Sequence, residues 1–320
     1  MSSKKEANSI LCTVCQSADH EHFITTSSMM HSNAAKQFHF QKCGVCNSVF
    51  LSNPVSESEL FQYYEENYLP YQGAKAWGKF APFVQKSQKK LDARRVAVVK
   101  NAVKNHSGKF SLLDVGCGRP SFLKQAQQKL QADCSGIDFT NNGWNEGSYE
   151  HLKLSQTSLA EFESHQKYDV ITLWHYLEHD YQLQDTAQKL HHFLKPGGKL
   201  IIEVPDYDSL TAKRQKQFWQ GWHSPRHLTL FSSQGFSFLF SKEKWTTIHH
   251  HRYGTLDAFT LWWLGYMEKH GANWSTSMEK EFWPLVVKKV ISFPIFMLEK
   301  IIPMGIQLIV IEKNLKSKSF

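Results

Sequence analysis

From Phe110 onwards the chain alternates short β-rich runs with helical stretches, and this alternation constrains its fold more than any other feature. Five runs are predicted strands: FSLLDV (110–115), ADCSGID (132–138), HLKL (151–154), YDVITLW (168–174) and KLIIEV (199–204). A helical pattern from about Leu183 to Leu194 ends at Lys195-Pro-Gly-Gly198, which is a typical helix stop. Two later strands are predicted near 244–251 and 306–313. This order favours a parallel sheet with helices on both faces.

The composition is that of a globular protein. The 320 residues are 41% hydrophobic and 21% charged, which excludes a disordered chain, collagen and a coiled coil. The first ten residues, MSSKKEANSI, lack an apolar stretch, and the cysteine usage is typical of a reduced compartment, so we expect a cytoplasmic protein. The net charge of +8 is compatible with several partners: RNA, the anionic inner face of a membrane, or an anionic small substrate.

Two matched cysteine pairs lie in the first fifty residues. Cys12 and Cys15 form one Cys-x-x-Cys pair, Cys43 and Cys46 form the other, and 27 residues separate them. Two such pairs supply the four thiolates of a tetrahedral Zn²⁺ site, so the spacing predicts a structural zinc. A redox pair or a chance match are the alternatives.

A glycine loop follows the first predicted strand of the alternating region. In Leu112-Leu-Asp-Val-Gly-Cys-Gly118, the glycines at 116 and 118 allow a tight turn and close approach of a ligand to the backbone. Asp138 ends the next predicted strand, where its carboxylate is placed to accept the hydroxyls of a ribose. Together these features predict a nucleoside-binding site.

Five segments carry a resemblance to a known family: LLDVGCG, GIDFT, YDVITLWHYLEH, LHHFLKPGGKLIIEVP and SPRHLTLFS. With them the chain resembles the class I S-adenosylmethionine-dependent methyltransferases from about Phe110 to the C-terminus. The subgroup that it resembles most carries an N-terminal four-cysteine module and acts on small molecules or surface-polysaccharide sugars. The resemblance implies a doubly wound, Rossmann-like α/β fold whose seven-stranded sheet has an antiparallel last strand, joined to a small zinc-ribbon-like module.

The resemblance also implies roles for residues of this chain. The loop from Asp114 to Gly118 would cradle the methionine end of S-adenosylmethionine, and Asp138 would hold its ribose. Phe139 would flank the adenine, and the loop at Thr157 would close over the base. The expected cofactor contacts are Asp114, Gly116, Cys117, Gly118, Asp138, Phe139, Thr157 and Trp174. The chain departs from the family pattern at Pro120, where a third glycine is usual, and this departure puts the cofactor affinity in question.

The candidate catalytic residues are His175, Glu178, His179 and His227. The first three follow the fourth predicted strand, and if a helix starts there, their spacing puts them on one face. Ubiquinone-type O-methyltransferases and small-RNA 2′-O-methyltransferases show a similar Glu-x-x-Glu-His metal motif, with His175 here in place of the first Glu. Three interpretations stay open: a histidine base or substrate contact, a catalytic divalent metal completed by His223 or His227, and a structural role for Glu178 and His179.

The segment Trp222-His-Ser-Pro-Arg-His227 is predicted to form a loop that covers the pocket. Arg226 has two interpretations, an anion clamp for the substrate and an intradomain salt bridge. Trp219 and Trp222 would either stack on a sugar or pack the loop. The run His249-His-His251 is interpreted as a strand end, because alternate strand residues face opposite sides.

These patterns divide the chain into three predicted parts: a zinc-binding module (1–52), a helical linker (53–107) and a methyltransferase domain (108–320). The linker contains a predicted lysine-rich helix over 83–105. A hydrophobic segment at about 255–303 is too often interrupted by charge to span a bilayer. It is interpreted as a helical insertion that packs on the sheet or on a second subunit, with an interfacial membrane helix as the alternative.

The favoured function is transfer of a methyl group from S-adenosylmethionine to a small-molecule or glycan acceptor, at a hydroxyl. A zinc-module RNA methyltransferase is one alternative, but no Asn/Asp-Pro-Pro-Tyr segment follows the fourth strand and no C5 nucleophile is evident, so a nucleic-acid partner is not favoured. A degenerate domain that serves as a membrane or partner adaptor is the other. The sequence does not indicate an oligomeric state.

Overall fold

The computed structural model describes residues 10–31, 36–64, 69–146, 149–274 and 276–315. The strands are β1 (His20–Ser27), β2 (Gln37–Cys43), β3 (Val49–Leu51), β4 (Ser111–Val115), β5 (Asp133–Asp138), β6 (Lys153–Gln156), β7 (Tyr168–Trp174), β8 (Leu194–Pro205), β9 (Thr229–Leu230), β10 (Trp245–His251) and β11 (Ile306–Lys313). The helices are α1 (Glu57–Leu60), α2 (Leu69–Gln72), α3 (Ala81–Ala102), α4 (Ser121–Leu130), α5 (Leu183–Phe193), α6 (Leu210–Gln215), α7 (Ser233–Leu239), α8 (Ala258–Lys269) and α9 (Phe282–Phe296).

The larger sheet has seven strands in the order β10-β11-β8-β7-β4-β5-β6. Strands β4 to β8 pair in parallel, and β11 runs antiparallel to both of its neighbours, β8 and β10. This arrangement confirms the predicted α/β fold class with an antiparallel last strand. The strand order reverses between β4 and β7, and open α/β sheets bind ligands beside such a reversal, at the carboxyl ends of the strands.

The central strands are apolar because both faces of the sheet are covered. All five residues of β4 are buried, and so are the last six residues of β8. Helix α5 starts at Leu183 as predicted and ends one residue earlier, at Phe193. Strand β8 is longer than predicted, since Leu194 already pairs with Tyr168 and the positive φ of Gly197 (74°) carries the chain on into the strand.

A smaller sheet of four strands has the order β1-β2-β3-β9, and the cysteine pairs lie beside it: Cys12 and Cys15 precede β1, and Cys43 and Cys46 lie at the end of β2 and in the turn after it. Strand β9 comes from the segment after β8 and pairs with β3, so the N-terminal residues share a sheet with the second half of the chain. Four buried residues of the N-terminal region, Cys12, Val14, Cys43 and Cys46, belong to the same apolar core as Leu113 and Ile202 of the larger sheet. The four-cysteine region therefore shares its apolar core with the larger sheet.

Helices α8 and α9 form the hydrophobic segment before β11. Helix α8 is largely buried, with Phe259, Trp263 and Met267 in a core that also contains Trp77 and Phe282. Helix α9 buries Phe282 and leaves most of its other apolar side chains exposed. Within the described residues, no helix is long and apolar enough to cross a membrane.

Candidate functional site

The glycine loop lies at the carboxyl end of β4, beside the reversal of strand order. Gly116 and Gly118 both have a positive φ, of 71° and 47°. A Cβ on Gly116 would lie 2.6 Å from Cδ2 of Tyr176, so this position excludes any side chain. The amides of Gly116 and Cys117 donate to the carbonyl of Ile137 at 2.9 and 3.0 Å, which ties the loop to β5.

Asp138 ends β5 and holds the shape of this loop. Its carboxylate accepts the amide of Gly118 at 2.8 Å and the amide of Thr140 at 3.0 Å. Burial raises the pKa of Asp138 despite these two bonds. Asp114 lies behind the loop, where it accepts the hydroxyl of Thr172 at 2.6 Å and burial raises its pKa to about 7. A carboxylate has about four acceptor positions, so Asp138 keeps capacity for ribose hydroxyls.

Aromatic side chains lie next to the acid. The ring of Phe139 is 46% exposed, and its centroid is 6.0 Å from those of both Phe61 and Tyr64. The loop at Thr157 lies alongside, because the Thr157 amide donates to the carbonyl of Asp138 at 2.8 Å. These residues present partly exposed aromatic surface at the end of β5, next to Asp138. Phe61 and Tyr64 were absent from the sequence-based set, since nothing in the sequence relates the linker to β5.

Trp174 lies on the α3 and α4 side of the sheet. Its ring packs edge-on against Phe122 at 5.5 Å, and the guanidinium of Arg95 lies 5.0 Å from the ring centroid. The buried indole N–H has no hydrogen-bond partner among the described residues. The other seven expected cofactor contacts gather around the ends of β4 and β5, whereas Trp174 ends β7 on the far side of β4.

Pro120 does not interrupt a helix. It is the residue before α4, with a φ of −79°, and its carbonyl accepts the amide of Lys124 at 3.1 Å. An amide at this position would have no intrahelical acceptor, so proline removes no helical hydrogen bond.

The segment after β7 is not the helix that the spacing of its polar residues suggested. His175 has a left-handed backbone (φ 57°), and a single 3₁₀ turn covers Leu177–His179. The left-handed residue turns the chain sharply, so His175 points back into the sheet towards β8. Its Nδ1 lies 3.3 Å from Oε1 of Glu178, and its Nε2 lies 3.2 Å from Oε1 of Glu203.

His175 is therefore held between two fully buried carboxylates. Burial alone would lower its pKa, but the contacts with Glu178 and Glu203 outweigh burial and raise the pKa to about 9. His175 is accordingly protonated at neutral pH and has no lone pair to accept a proton. Glu203 is a residue that sequence reasoning missed; its signal was an acid near the end of an otherwise apolar strand, KLIIEVP.

The charge of His175 makes the stability of the protein depend on pH. The folded-state pKa of about 9 exceeds the ordinary value of 6.5, so the stabilisation is complete below pH 6.5 and is lost as the pH rises through 9. We expect the difference in free energy of unfolding between the wild type and His175→Gln to shrink by on the order of 2 kcal/mol across this window. Urea unfolding of both proteins at several pH values measures it, and a constant difference would contradict the charged state.

His179 and His227, together with His175 and Glu178, form a group that we call the histidine cluster. The rings of His179 and His227 meet edge to face with centroids 4.6 Å apart, and Nε2 of His227 lies 3.9 Å from Oε1 of Glu178. Nδ1 of His179 contacts the carbonyl of Arg226 at 3.0 Å, and Nδ1 of His227 contacts that of Gly221 at 2.7 Å. A carbonyl only accepts, so both Nδ1 atoms carry the proton.

Both of these rings are neutral. Burial lowers the pKa of His179, and it lowers that of His227 to about 3. With the proton on Nδ1, each Nε2 keeps a free lone pair. Of the two, His179 is partly exposed and His227 is buried. One donor atom from each of Glu178, His179 and His227 lies within 4.8 Å of the others, and Oε2 of Glu178 has no hydrogen-bond partner among the described residues.

The loop before β9 is packed into the protein. Arg226 is fully buried and donates to the carbonyls of Tyr63 and Met29, both at 2.9 Å, so its guanidinium anchors N-terminal segments instead of facing a substrate. Trp219 and Trp222 are also buried, with their rings 5.4 Å apart, so they pack the loop. His249 and His251 lie on the edge strand β10, as the strand interpretation expected.

The four cysteines beside the smaller sheet converge on one point. Sγ of Cys12 lies 3.5 Å from Sγ of Cys46, and Sγ of Cys15 lies 3.5 Å from Sγ of Cys43. All four sulfurs lie within 4.8 Å of one another. A tetrahedral ion with Zn–S bonds of about 2.3 Å separates its sulfurs by about 3.8 Å, so this donor set fits zinc.

The two cysteine turns are alike. In each, the residue after the second cysteine has a left-handed φ, 59° at Gln16 and 58° at Asn47, and its amide donates back to the carbonyl of the first cysteine. The first cysteine's amide donates to the carbonyl of a serine five residues later, at 2.9 Å in both turns. Two equivalent turns that point four thiols at one centre are an arrangement suited to a closed tetrahedral site.

A family model described as "Methyltransferase domain" matches residues 76–250. No curated protein sequence matches the chain. Similar solved structures include coclaurine N-methyltransferase bound to N-methylheliamine and S-adenosylhomocysteine, with 12% identity, a TM-score of 0.47 and coverage of 69% of this chain and 70% of that one.

Two further structures are similar to parts of the chain. The N-methyltransferase NodS from Bradyrhizobium japonicum WM9 has 13% identity, a TM-score of 0.40 and coverage of 70% of this chain and 97% of that one. The mycolic acid cyclopropane synthase CmaA1 has 15% identity, a TM-score of 0.49 and coverage of 72% and 85%. Because the family model covers more than half of the 320 residues, the chain belongs to the methyltransferase domain family.

Proposed function

We propose that the protein transfers a methyl group from S-adenosylmethionine to a hydroxyl of a small-molecule or sugar acceptor, such as a surface-polysaccharide precursor. The observation that carries this proposal is the position of His179. It is a neutral, partly exposed histidine just after the carboxyl end of β7. The glycine loop follows the neighbouring strand β4, and Asp138 ends β5, the next strand in the sheet. A hydroxyl acceptor needs a group that removes its proton at neutral pH, and a neutral imidazole is suited to that task.

The residues of the loop fit S-adenosylmethionine. The two left-handed glycines leave a concave backbone, Asp138 offers acceptor positions for the ribose, and Phe139 with its aromatic neighbours offers aromatic surface for the adenine. When bound, S-adenosylmethionine supplies an electrophilic methyl group on its sulfonium. The chain's own contribution is to align the two reactants and to exclude water.

The residues of the histidine cluster have different roles in the reaction. Nε2 of His179 accepts the proton of the acceptor hydroxyl, while its Nδ1–H, donated to the carbonyl of Arg226, fixes the ring orientation. The carboxylate of Glu178 raises the pKa of His179 against the effect of burial, so it stabilises the imidazolium that forms. His175 remains protonated between Glu178 and Glu203 and acts on this site through Glu178, as a positioning residue.

A divalent cation held by Glu178, His179 and His227 is the second candidate for this site. The tautomers favour it, because histidines that bind a metal through Nε2 commonly donate Nδ1–H to a backbone carbonyl. The unpartnered Oε2 of the buried Glu178 carboxylate is a further available donor. Calorimetric titration with Mn²⁺ separates the two candidates, since stoichiometric Mn²⁺ binding that His227→Ala abolishes would support the metal.

We also propose that Cys12, Cys15, Cys43 and Cys46 hold a structural Zn²⁺ and that the protein belongs to the four-cysteine subgroup. The convergence of the four thiols supports this assignment. A closed four-sulfur site leaves no open position for a substrate, so its expected role is to stabilise the fold.

Asp138 provides the test of the cofactor site. We expect Asp138→Ala to raise the dissociation constant of S-adenosylhomocysteine by about 10²-fold, because two charge-assisted hydrogen bonds to the ribose are lost. Calorimetry measures the change. Asp133→Ala is the matched control, because Asp133 begins the same strand and pairs with Lys153 on the surface, and it should bind as the wild type does.

The acceptor class is tested by transfer of a labelled methyl group to nucleotide sugars and phenols, with RNA oligonucleotides included in the same panel. Labelled sugars or phenols would support the proposal, whereas labelled RNA alone would establish the RNA alternative. If the wild-type protein does not bind S-adenosylmethionine at about millimolar concentration, where a binding free energy of only about −4 kcal/mol would be detected, the methyltransferase activity itself is contradicted.

A further inference from the structure

The outer side of α9 and the turn after it form an exposed apolar face. Trp283, Ile291 and Ile301 are 61%, 73% and 80% exposed. Seven of the exposed apolar positions are spaced by one, three or four residues and lie on one side of the helix, flanked by the exposed Phe293 and Ile295. We call this side the apolar face, and its members are Trp283, Val287, Val290, Ile291, Pro294, Leu298 and Ile301.

The polar side chains of the same helix face the protein. Nζ of Lys288 lies 4.1 Å above the ring of Tyr266, and Nζ of Lys289 pairs with the carboxylate of Asp257. Glu299, just beyond the helix, is partly buried and burial raises its pKa. A helix that packs only on its own domain turns its apolar stripe inwards. Helix α9 instead has apolar residues on two sides. Phe282, Leu285, Val286 and Phe296 pack inwards, whereas the apolar face stays exposed, which indicates that this face meets an apolar surface outside the chain.

This segment is not suited to crossing a bilayer. Helix α9 has 15 residues, contains Pro294 and carries two adjacent lysines, and no described helix meets the length and hydropathy of a span. A tryptophan at one end is typical of a helix that lies at the level of the lipid headgroups. The geometry suits a helix that lies along a surface.

Cations lie along the edge of the apolar face. On α3, the ring of Phe83 is 5.6 Å from that of Phe282, and Nη1 of Arg94 donates to the carbonyl of Thr255. Lys86 and Lys90 occupy exposed positions between these two contacts and on the same side of α3. Lys300 is exposed at the other end of the face.

Acids are scarce in the same region. Residues 282–302 contain one carboxylate, the partly buried Glu299. Two acids lie just upstream: Glu281 is the residue before α9, and Glu279 is paired with Lys79 at 3.1 Å. The apolar face is thus bordered by an excess of positive charge. A second copy docked face to face would bring these cations against one another, whereas an anionic headgroup layer would neutralise them.

We propose that this face docks on the surface of a membrane that contains anionic lipids. The apolar side chains enter the boundary between headgroups and acyl chains, and Lys86, Lys90 and Lys300 contact the headgroups. This inference is independent of the methyl acceptor, because none of these residues belongs to the cofactor loop or the histidine cluster.

The full chain is tested by co-sedimentation with large unilamellar vesicles, either of phosphatidylcholine alone or with about one third phosphatidylglycerol. We expect binding to the mixed vesicles, and a partition coefficient at least about tenfold lower for the double variant Ile291→Glu/Ile301→Glu. Lys86→Glu/Lys90→Glu should lower binding to the mixed vesicles and leave any binding to pure phosphatidylcholine unchanged. Phe238→Glu, at an exposed apolar position on α7, is the matched control and should bind as the wild type does.

Circular dichroism tests whether the variants remain folded. Because the substitutions are at exposed positions, the melting temperature should stay unchanged. Binding by neither vesicle, or equal binding by the wild type and the Ile291→Glu/Ile301→Glu variant, would overturn the proposal. The proposal would also be overturned by a second result. In this result, light scattering detects a lipid-free dimer that the Ile291→Glu/Ile301→Glu substitutions dissociate, and the wild type binds no vesicles. Failure of the methyltransferase proposal is recognised separately, by absent binding of S-adenosylmethionine.

Discussion

Replacing His179 with alanine is expected to lower kcat by about 10²- to 10⁴-fold, which is the contribution of a positioned proton acceptor. The affinity for S-adenosylhomocysteine should stay within about threefold of the wild type, because His179 follows β7 and contacts neither Asp138 nor the glycine loop in the described structure. Steady-state kinetics with the labelled methyl donor, together with calorimetry, measure both quantities.

His249→Ala is the matched control, since His249 is an exposed histidine on the edge strand β10 and should leave kcat unchanged. The pH profile adds a second readout: loss of the base should remove the acidic limb of the kcat profile, where His179 becomes protonated. The proposed role is contradicted if His179→Ala keeps kcat within about threefold of the wild type, a change too small for loss of a general base.

Replacing Cys46 with serine is expected to remove the bound zinc and to lower the melting temperature by more than about 10 °C. A structural zinc contributes on the order of 10 kcal/mol, and ~1 kcal/mol corresponds to about 1.5 °C for a chain of 320 residues. The loss should extend beyond the cysteine turns. Cys46 packs in the same apolar core as Leu113 of the catalytic sheet, and Ser232 bonds to the Cys46 carbonyl. Thermal unfolding and elemental analysis of zinc measure the two effects.

Cys134→Ser provides the matched control, since Cys134 is buried in β5, away from the four converging thiols. It should retain zinc and show only the smaller destabilisation of a buried polar substitution, about 1–3 kcal/mol. A Cys46→Ser protein with a full complement of zinc, or with a melting temperature equal to that of the control, would exclude the structural metal.

The fold could be predicted because its determinants are local. The apolar runs that end at Val115, Trp174 and Val204 mark strands β4, β7 and β8, and the pattern from Leu183 marks α5. The extension of β8 back to Leu194 was not predicted, because the Lys-Pro-Gly-Gly sequence signals the end of a helix equally well whether a loop or a strand follows.

The candidate site was predicted only in part. The spacing of His175, Glu178 and His179 suggested one helical face, but the left-handed φ of His175 separates it from His179 and joins it to Glu203. No local signal distinguishes a left-handed histidine from a helical one. Arg226 was expected to face either a substrate or an acid, and instead it bonds to backbone carbonyls contributed by distant segments.

The sequence by itself determined the strand-and-helix alternation, the glycine loop with its acid and the paired cysteine turns, because each depends on residues close together in the chain. Only the tertiary structure decided which histidines are charged. His175 is protonated because two carboxylates from β8 and the turn after β7 surround it, and His227 is neutral because it is buried beside a carbonyl. It also decided that α9 keeps a second apolar side exposed while Phe282 packs inwards. Charge state and exposure depend on what distant segments bring to a side chain, and spacing along the chain does not encode that.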